Sequence, residues 1–470
     1  MDDHLERKLR GNLRRFVLFR LLYSARFYYP VFTILFLDYG LSLEQFAVLN
    51  MVWAVSIVLA EVPSGAMADI VGKKALLIFA SGLMVVEMAL IVFAPIGASS
   101  LLFWMFLGNR VCSGLSEAAA SGADEALAYD SLKALGREDD WAALLERTTF
   151  VVSIGFFTTM ILGAFAYDPS IVNRVLGLFS ESRSMPDSLV IRLPVILTLL
   201  TACALFVVTL GLYELEADKE KSNESRESEG LKSLIAPFRQ IYSAGQWTVG
   251  HRFVLFVILA ALALDSVGRQ FVVLSSEYYR IIDIPVSWFG FVGAGMSLLG
   301  IINARFSRYL VSNHSPLFNF LVLSVILVLG LTGIAFAVPL YGVIFAAGAF
   351  AMMGMVQFQA SYYLNREADS SIRATVLSFK GLALNLGLGF ASLLYTGLVA
   401  SLRESRSATM PEAELQEQVF VESLSVFPVY FLLLFIVIVI AARLTIKQCA
   451  VFFQAPGGKT RHTERERQQT

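Results

Sequence analysis

Apolar runs of about twenty residues or more recur along the whole of this sequence, and nothing else about it restricts the fold so sharply. Each is long enough to cross roughly 30 Å of hydrocarbon as a helix. They fall near 15–37, 43–67, 75–96, 99–129, 148–167, 191–213, 252–278, 285–304, 317–338, 340–363, 374–399 and 425–446, so twelve spans are expected. Composition agrees: 56% of the 470 residues are hydrophobic and 16% charged, where globular domains carry about a quarter charged residues. The expected fold class is an all-α integral membrane protein. Its polar, basic start, Met1 to Arg15, enters an apolar stretch too long and aromatic for a cleavable signal peptide, so it reads as a retained first helix.

Lysine and arginine set the orientation, because cytoplasmic connections retain the positive excess. With the N-terminus inside, and with Arg15, Arg192, Arg252 and Arg443 at the span ends counted with the adjoining connections, that side carries 26 Lys and Arg, the other side six, and five lie within spans. Both termini are therefore expected in the cytoplasm. The longest break, near 214–250, begins with Glu214, Glu216, Asp218, Lys219, Glu220 and Lys221 and leads into an amphipathic stretch from Leu231 to Trp247; it reads as a solvated linker. It separates a six-span half over 1–213 from another over 251–446, with a polar tail over 447–470. Connections near 168–190 and 400–424 read as surface loops. Cys112, Cys203 and Cys449 suggest neither a disulfide framework nor a metal site, and a net charge of -1 leaves no basic surplus for nucleic acid.

One charged stretch interrupts the apolar pattern distinctively. Gly65-Ala66-Met67-Ala68-Asp69-Ile70-Val71-Gly72-Lys73-Lys74 reads as a tight loop between the second and third spans. Gly65 and Gly72 allow close backbone approach, while Asp69, Lys73 and Lys74 supply charge that lipid excludes. This G-x-x-x-D-x-x-G-[KR]-[KR] pattern resembles the signature of the major facilitator superfamily. Arg110-Val111-Cys112-Ser113-Gly114 is similar to the R-x-x-x-G motif of that family's fourth helix, which is associated with proton coupling. The resemblance implies twelve transmembrane helices in two six-helix bundles, each built of two inverted repeats, and secondary transport by alternating access. It also implies a latch. Lys73 or Lys74 would pair with an acid after the fourth span, here Asp130, and Asp69 would face the N-terminus of the eleventh helix near Ser371 to Ala374. The second copy of the signature is degraded to Asn303-Ala304-Arg305-Phe306-Ser307-Arg308, and the fifth span lacks the G-x-x-x-G-P-x-x-G-G pattern of drug/proton antiporters.

Ionisable residues at the centre of a span cost about 2.5–3.5 kcal/mol each on insertion scales, so they mark function or pairing. Here the polar residues gather in the first, fourth, seventh and tenth spans, which the resemblance makes the cavity-lining helices: Arg20, Tyr23, Arg26, Tyr28 and Tyr29; Arg110, Glu117 and Asp124; Asp265, Arg269, Gln270 and Glu277; Gln357, Gln359, Tyr362 and Tyr363. The sixth, ninth and twelfth spans carry no interior charge, as lipid-facing helices should. Arg26 and Arg110 fall about 16–17 Å from their span boundaries, close to the midplane. Two guanidinium groups there either hold an anion between them or are neutralised from within by Glu117 or Glu87; for Arg110, Glu61 is a further candidate. Glu117, about two turns from Arg110, is the expected proton carrier. Asp265 and Arg269, one turn apart, can neutralise each other. The expected binding set is thus Tyr23, Arg26, Arg110, Asp265, Arg269 and Gln357. Lys380 either snorkels to the interface or faces the cavity as a third cation.

The sequence therefore leads to a proton-coupled transporter of a small, anionic or carboxylate-bearing solute, monomeric in the bilayer of a bacterial inner membrane. Drug or metabolite efflux by proton antiport is the alternative. A non-transporting receptor or scaffold with the same fold would have little reason to tolerate mid-membrane charges. No G-x-x-x-x-G-K-[ST] phosphate loop and no metal-ligand spacing occurs, which disfavours an enzyme, ATP-driven transport and any bound cofactor or metal.

Overall fold

The computed structural model describes residues 3–178, 184–215, 239, 242–243, 245–368, 373–407 and 411–445, without the side chains of a few positions, Gly65 and Asp69 among them. The regular structure of these residues is entirely helical. In chain order the helices are α1 (Asp3–Ser24), α2 (Phe32–Asp38), α3 (Leu43–Val71), α4 (Lys73–Val92), α5 (Ser100–Ala120), α6 (Ala123–Ala134), α7 (Trp141–Tyr167), α8 (Pro169–Gly177), α9 (Asp187–Val190), α10 (Leu193–Leu210), α11 (Arg252–Ile281), α12 (Phe289–Asn313), α13 (Pro316–Ala335), α14 (Gly342–Glu367), α15 (Arg373–Ser407) and α16 (Glu412–Thr445). Ten of the described helical stretches are long and apolar enough to cross a membrane. The other two of the twelve spans are more polar: the broken pair α1–α2, and α5 with its Asn109, Arg110 and Glu117.

By internal contacts the chain forms two units, one of 1–239 with 285–294 and one of 240–284 with 295–470. In the first, α5 packs against α3 and α4, α10 packs on α4, and α1 lies against α6, α7 and α10. In the second, α11 is central: it contacts α14, α15 and α16, while α13 packs on α14 and α16.

Local chemistry explains where helices start and stop, and it corrects several boundaries. Ser42 opens α3 with a capping box: its hydroxyl accepts from Gln45 N at 3.2 Å and its own N–H donates to Gln45 Oε1 at 3.0 Å. Once started, α3 runs through Pro63 and on to Val71. The stretch from Gly65 to Lys74, expected as a loop, is therefore helix on both sides of a single unwound residue, Gly72. Its φ of 92° belongs to glycine. The run expected as one span over 99–129 is broken at Ser121–Gly122, where Gly122 takes φ 77°, and Asp130 consequently sits on the separate helix α6. Pro30, which has no N–H to donate, lies in a short 3-10 turn between α1 and α2. The degraded second signature is not a loop either, because α12 continues to Asn313. Much of the expected surface loops is helical, in α8 and α9 and in the ends of α15 and α16. The linker over 216–238 lies outside the described residues.

A close seam of the first unit lies at Gly114. A Cβ there would stand 2.6 Å from Ser56 Cβ and 2.9 Å from the carbonyl oxygen of Trp53, so α3 and α5 touch backbone to backbone. Gly114→Ala should therefore lower the thermal midpoint in detergent, by an amount equivalent to about 1–3 kcal/mol of overpacking. Gly348→Ala in α14, where a Cβ meets nothing within 4 Å, should leave the midpoint unchanged or raise it slightly. Equal midpoints for the two variants would contradict the close seam.

Candidate functional site

The first polar cluster grows out of the break between α1 and α2. Arg26 stands just after α1, 2% exposed, and its Nη1 meets Oε1 of the fully buried Glu87 of α4 at 2.5 Å. The same Nη1 donates to Tyr28 Oη at 3.3 Å, and the rings of Tyr23 and Tyr29 flank the guanidinium at 5.3 and 5.9 Å. Tyr23 Oη lies 3.2 Å from Ser116 Oγ, and Asn109 Nδ2 donates to the Glu87 carbonyl at 2.8 Å, which ties the pair to α5. Of the acids available by sequence, Glu87 is the one that neutralises Arg26; it does not bond Arg110.

Arg110, on α5, is left differently. It is 4% exposed and lies over the rings of Phe32 and Phe36, 4.8 and 4.9 Å from their centroids. Its Nε and Nη2 are buried with no hydrogen-bond partner. Cation–π contact supplies about 0.5–2 kcal/mol, well short of the several kcal/mol that desolvating a cation costs. Two turns further along α5, Glu117 is exposed, and its carboxylate makes no hydrogen bond or ion pair among the described residues. Glu61 on α3 lies within its electrostatic reach and has a buried, unpartnered Oε2.

The signature region forms a second cluster in the same unit. Lys73 Nζ donates to the Asp130 carboxylate, while Arg20 pairs with Asp124 at 2.6 Å and with Glu125. Glu214, expected in the solvated linker, is instead 9% exposed. Its Oε1 accepts from Lys73 N at 2.6 Å and Lys74 N at 3.5 Å, so it caps the otherwise unsatisfied first turn of α4. A Cβ on Gly72 would stand 2.5 Å from that carboxylate, which gives the signature's second glycine its reason here. The side chain of Asp69 and residues 369–372 lie outside the described residues.

The third cluster belongs to the second unit. Asp265 Oδ2 accepts from Arg269 Nε at 2.9 Å and from Nη2, and Asp265 Oδ1 accepts from Gln357 Nε2 at 3.0 Å. Gln357 Oε1 in turn accepts from Lys380 Nζ at 3.3 Å, and Arg269 Nη1 donates to Asn385 Oδ1 at 3.0 Å. One carboxylate thus serves two cations through an amide bridge. Of the two roles open to Lys380, it takes the inward one.

Against this geometry stands the family comparison: the model of the Major Facilitator Superfamily matches residues 16–392. The chain belongs to the major facilitator superfamily. It is a multi-pass integral membrane transporter and not an enzyme. No curated protein matches the sequence. The nucleoside transporter NupG is similar in structure with a TM-score of 0.62 at 13% identity, covering 94% of this chain and 99% of that one. A bacterial homolog of the human lysosomal transporter Spinster gives 0.63 at 14%, covering 97% and 100%, and a D-xylose-proton symporter 0.58 at 12%, covering 90% and 97%. At such identities the likeness concerns the fold alone.

Two residues of this facilitator's polar interior escaped the reading of the sequence. Glu214 looked like one more acid in a charged run, and Asn385 like an ordinary polar residue of an apolar span. Neither has a local sequence signal, since the partner of each is remote in the chain. The buried ion pair generates a direct test. Glu87→Gln strands the Arg26 charge and should cost about 3–5 kcal/mol, whereas the Arg26→Gln, Glu87→Gln double variant should recover much of that loss. Thermal unfolding in detergent reads both, and additive losses would contradict a coupled pair.

Proposed function

We propose that this facilitator moves a small anionic or carboxylate-bearing solute by alternating access, coupled to protons, with Arg110 as the anion-binding group and Glu117 as the proton carrier. The observation that carries this reading is the state of Arg110, a buried guanidinium lacking an acceptor for Nε and Nη2 beside a second guanidinium that has its own acid. Guanidinium suits bidentate capture of a carboxylate or phosphate, and an anion would remove the unmet charge. Arg26 then acts by holding the α1–α2 break on Glu87 and presenting Tyr23 and Tyr29. In the second unit Asp265, Arg269, Gln357 and Lys380 form a polar cluster with one cation in excess, in keeping with an anionic cargo.

Glu117 fits the proton role because it is exposed, unpaired among the described residues and two turns from Arg110. Glu61 lies within reach, and two neighbouring carboxylates are suited to sharing one proton. Proton coupling also accords with the symporter among the similar structures. We further place both termini in the cytoplasm of a bacterial inner membrane, take the monomer as the working unit, and assign Gly65, Asp69, Gly72, Lys73, Lys74 and Asp130 to gating.

The same two carboxylates favour one second reading, exchange of protons for a cationic solute. Ligand charge separates the two. In thermal-shift binding with carboxylates, phosphates and amines, an anion should stabilise the wild type by mass action, and Arg110→Gln should weaken that binding by tenfold or more. Stabilisation by amines alone, untouched in Arg110→Gln, would overturn the anion reading. In proteoliposomes Glu117→Gln should still exchange cargo but fail to accumulate it under a pH gradient. Wild-type accumulation would remove Glu117 from the mechanism.

A further inference from the structure

The second unit contains a cavity that none of the polar clusters uses. It has a volume of about 270 Å³ and lies among α11, α15 and α16, walled by Val267, Ala391, Leu394, Phe427 and Tyr430 with Gln270 at its side. That is just below the range of about 300–1,000 Å³ usual for small-molecule pockets. No charged residue lines it.

Gln270 is the feature that such a wall does not explain. It is 1% exposed and lies about 16 Å from the nearer end of α11. Its Oε1 accepts from Ser392 Oγ at 2.7 Å, but its Nε2 is buried without any acceptor. A buried donor left unmade is costly, and a structural glutamine would use both ends of its amide. Water answers the need poorly, because it requires two to four polar partners and the hydroxyl of Tyr395, also in the wall, is already within 3.0 Å of Ser423 Oγ. The remaining wall is aromatic and aliphatic, with the rings of Tyr395 and Phe427 tilted against each other at 5.7 Å.

Access is from the apolar side of these helices. Leu394 in the wall is 42% exposed, and Val429 and Leu433, neighbours of the cavity residues on α16, are 57% and 63% exposed. On α16, which belongs to a span with no interior charge, such residues face hydrocarbon.

We infer that this cavity binds an uncharged, mostly apolar molecule of one or two rings bearing a single hydrogen-bond acceptor, taken up from the hydrocarbon, with its carbonyl or ether oxygen on Gln270 Nε2. The site is distinct from the Arg110 cluster and does not rest on the anionic-cargo reading. Its ligand class is one that a guanidinium site would not select.

Benzophenone is a suitable probe, because it combines two rings with one carbonyl and crosslinks to nearby C–H bonds on irradiation. With the full-length protein in nanodiscs, labelling should saturate and map by peptide mass spectrometry to α11, α15 and α16. Gln270→Leu, which removes the donor, should weaken it about tenfold, as should filling the cavity with Ala391→Trp. Diphenylmethane, which lacks the acceptor, should compete about tenfold less well than unlabelled fluorenone, and this comparison uses the wild type, so it decides the matter even if a variant fails to fold. Labelling that never saturates and spreads over all exposed apolar faces would overturn the proposal. So would equal competition by diphenylmethane and fluorenone.

Discussion

A guanidinium at the depth of Arg26 must be answered by the protein, because lipid offers it nothing, and the polar interior of the first unit is arranged around that answer. Glu87 meets it from α4, and Asn109 on α5 holds the Glu87 backbone in turn. Desolvation makes such a pair a poor source of net stability, yet removing either partner leaves a bare charge in low dielectric. The pair therefore restricts how α1, α4 and α5 can move relative to one another more than it strengthens them. The bend between α1 and α2 carries Tyr28 and Tyr29 on the far side of Arg26, so the same ion pair also sets where those rings lie.

Arg26 has its charge met by Glu87 through Nη1, although its Nη2 and Glu87 Oε2 are buried without a partner, and against that pair the state of Arg110, which has no acid at all among the described residues, becomes informative. Each unit holds a buried or half-buried cluster in which cations outnumber partnered acids: Arg26 and Arg110 against Glu87, Arg269 and Lys380 against Asp265. The clusters are built differently. In the second unit every cation reaches an oxygen, directly or through Gln357, whereas in the first Arg110 has only aromatic faces for Nε and Nη2. A structural role would account for the second arrangement completely and for the first only in part, which is why the functional weight falls on Arg110.

Much of this was legible in the sequence, and the part that was not has a common cause. Run length and apolarity located the spans, since crossing hydrocarbon imposes a length that no tertiary contact alters. The family was readable from a short motif because the positions of Gly65, Asp69, Gly72, Lys73 and Lys74 are locally spaced. Breaks within runs were harder: Gly122 separates α5 from α6 through one left-handed residue, and nothing in a hydropathy pattern distinguishes that glycine from Gly114, which packs a helix seam. Partnership was hardest. Arg26 had more than one acid to choose from, and only packing decides between Glu87 and Glu117. Asp265 and Arg269 were readable as a pair because one helical turn joins them.

Glu214 shows how a motif can depend on a residue far from it. Between α3 and α4 only Gly72 is unwound, so the first turn of α4 begins with N–H groups that no residue of the motif itself supplies an oxygen for among the described side chains. The carboxylate that fills the need arrives from just beyond α10, and it can approach because position 72 lacks a Cβ. Lys73 is then held at two points, its backbone by Glu214 and its ammonium by Asp130 on α6. Any change that displaces Lys73 must disturb both acids. The end of the sixth span, where the linker begins, is thereby coupled mechanically to the signature turn through a single side chain.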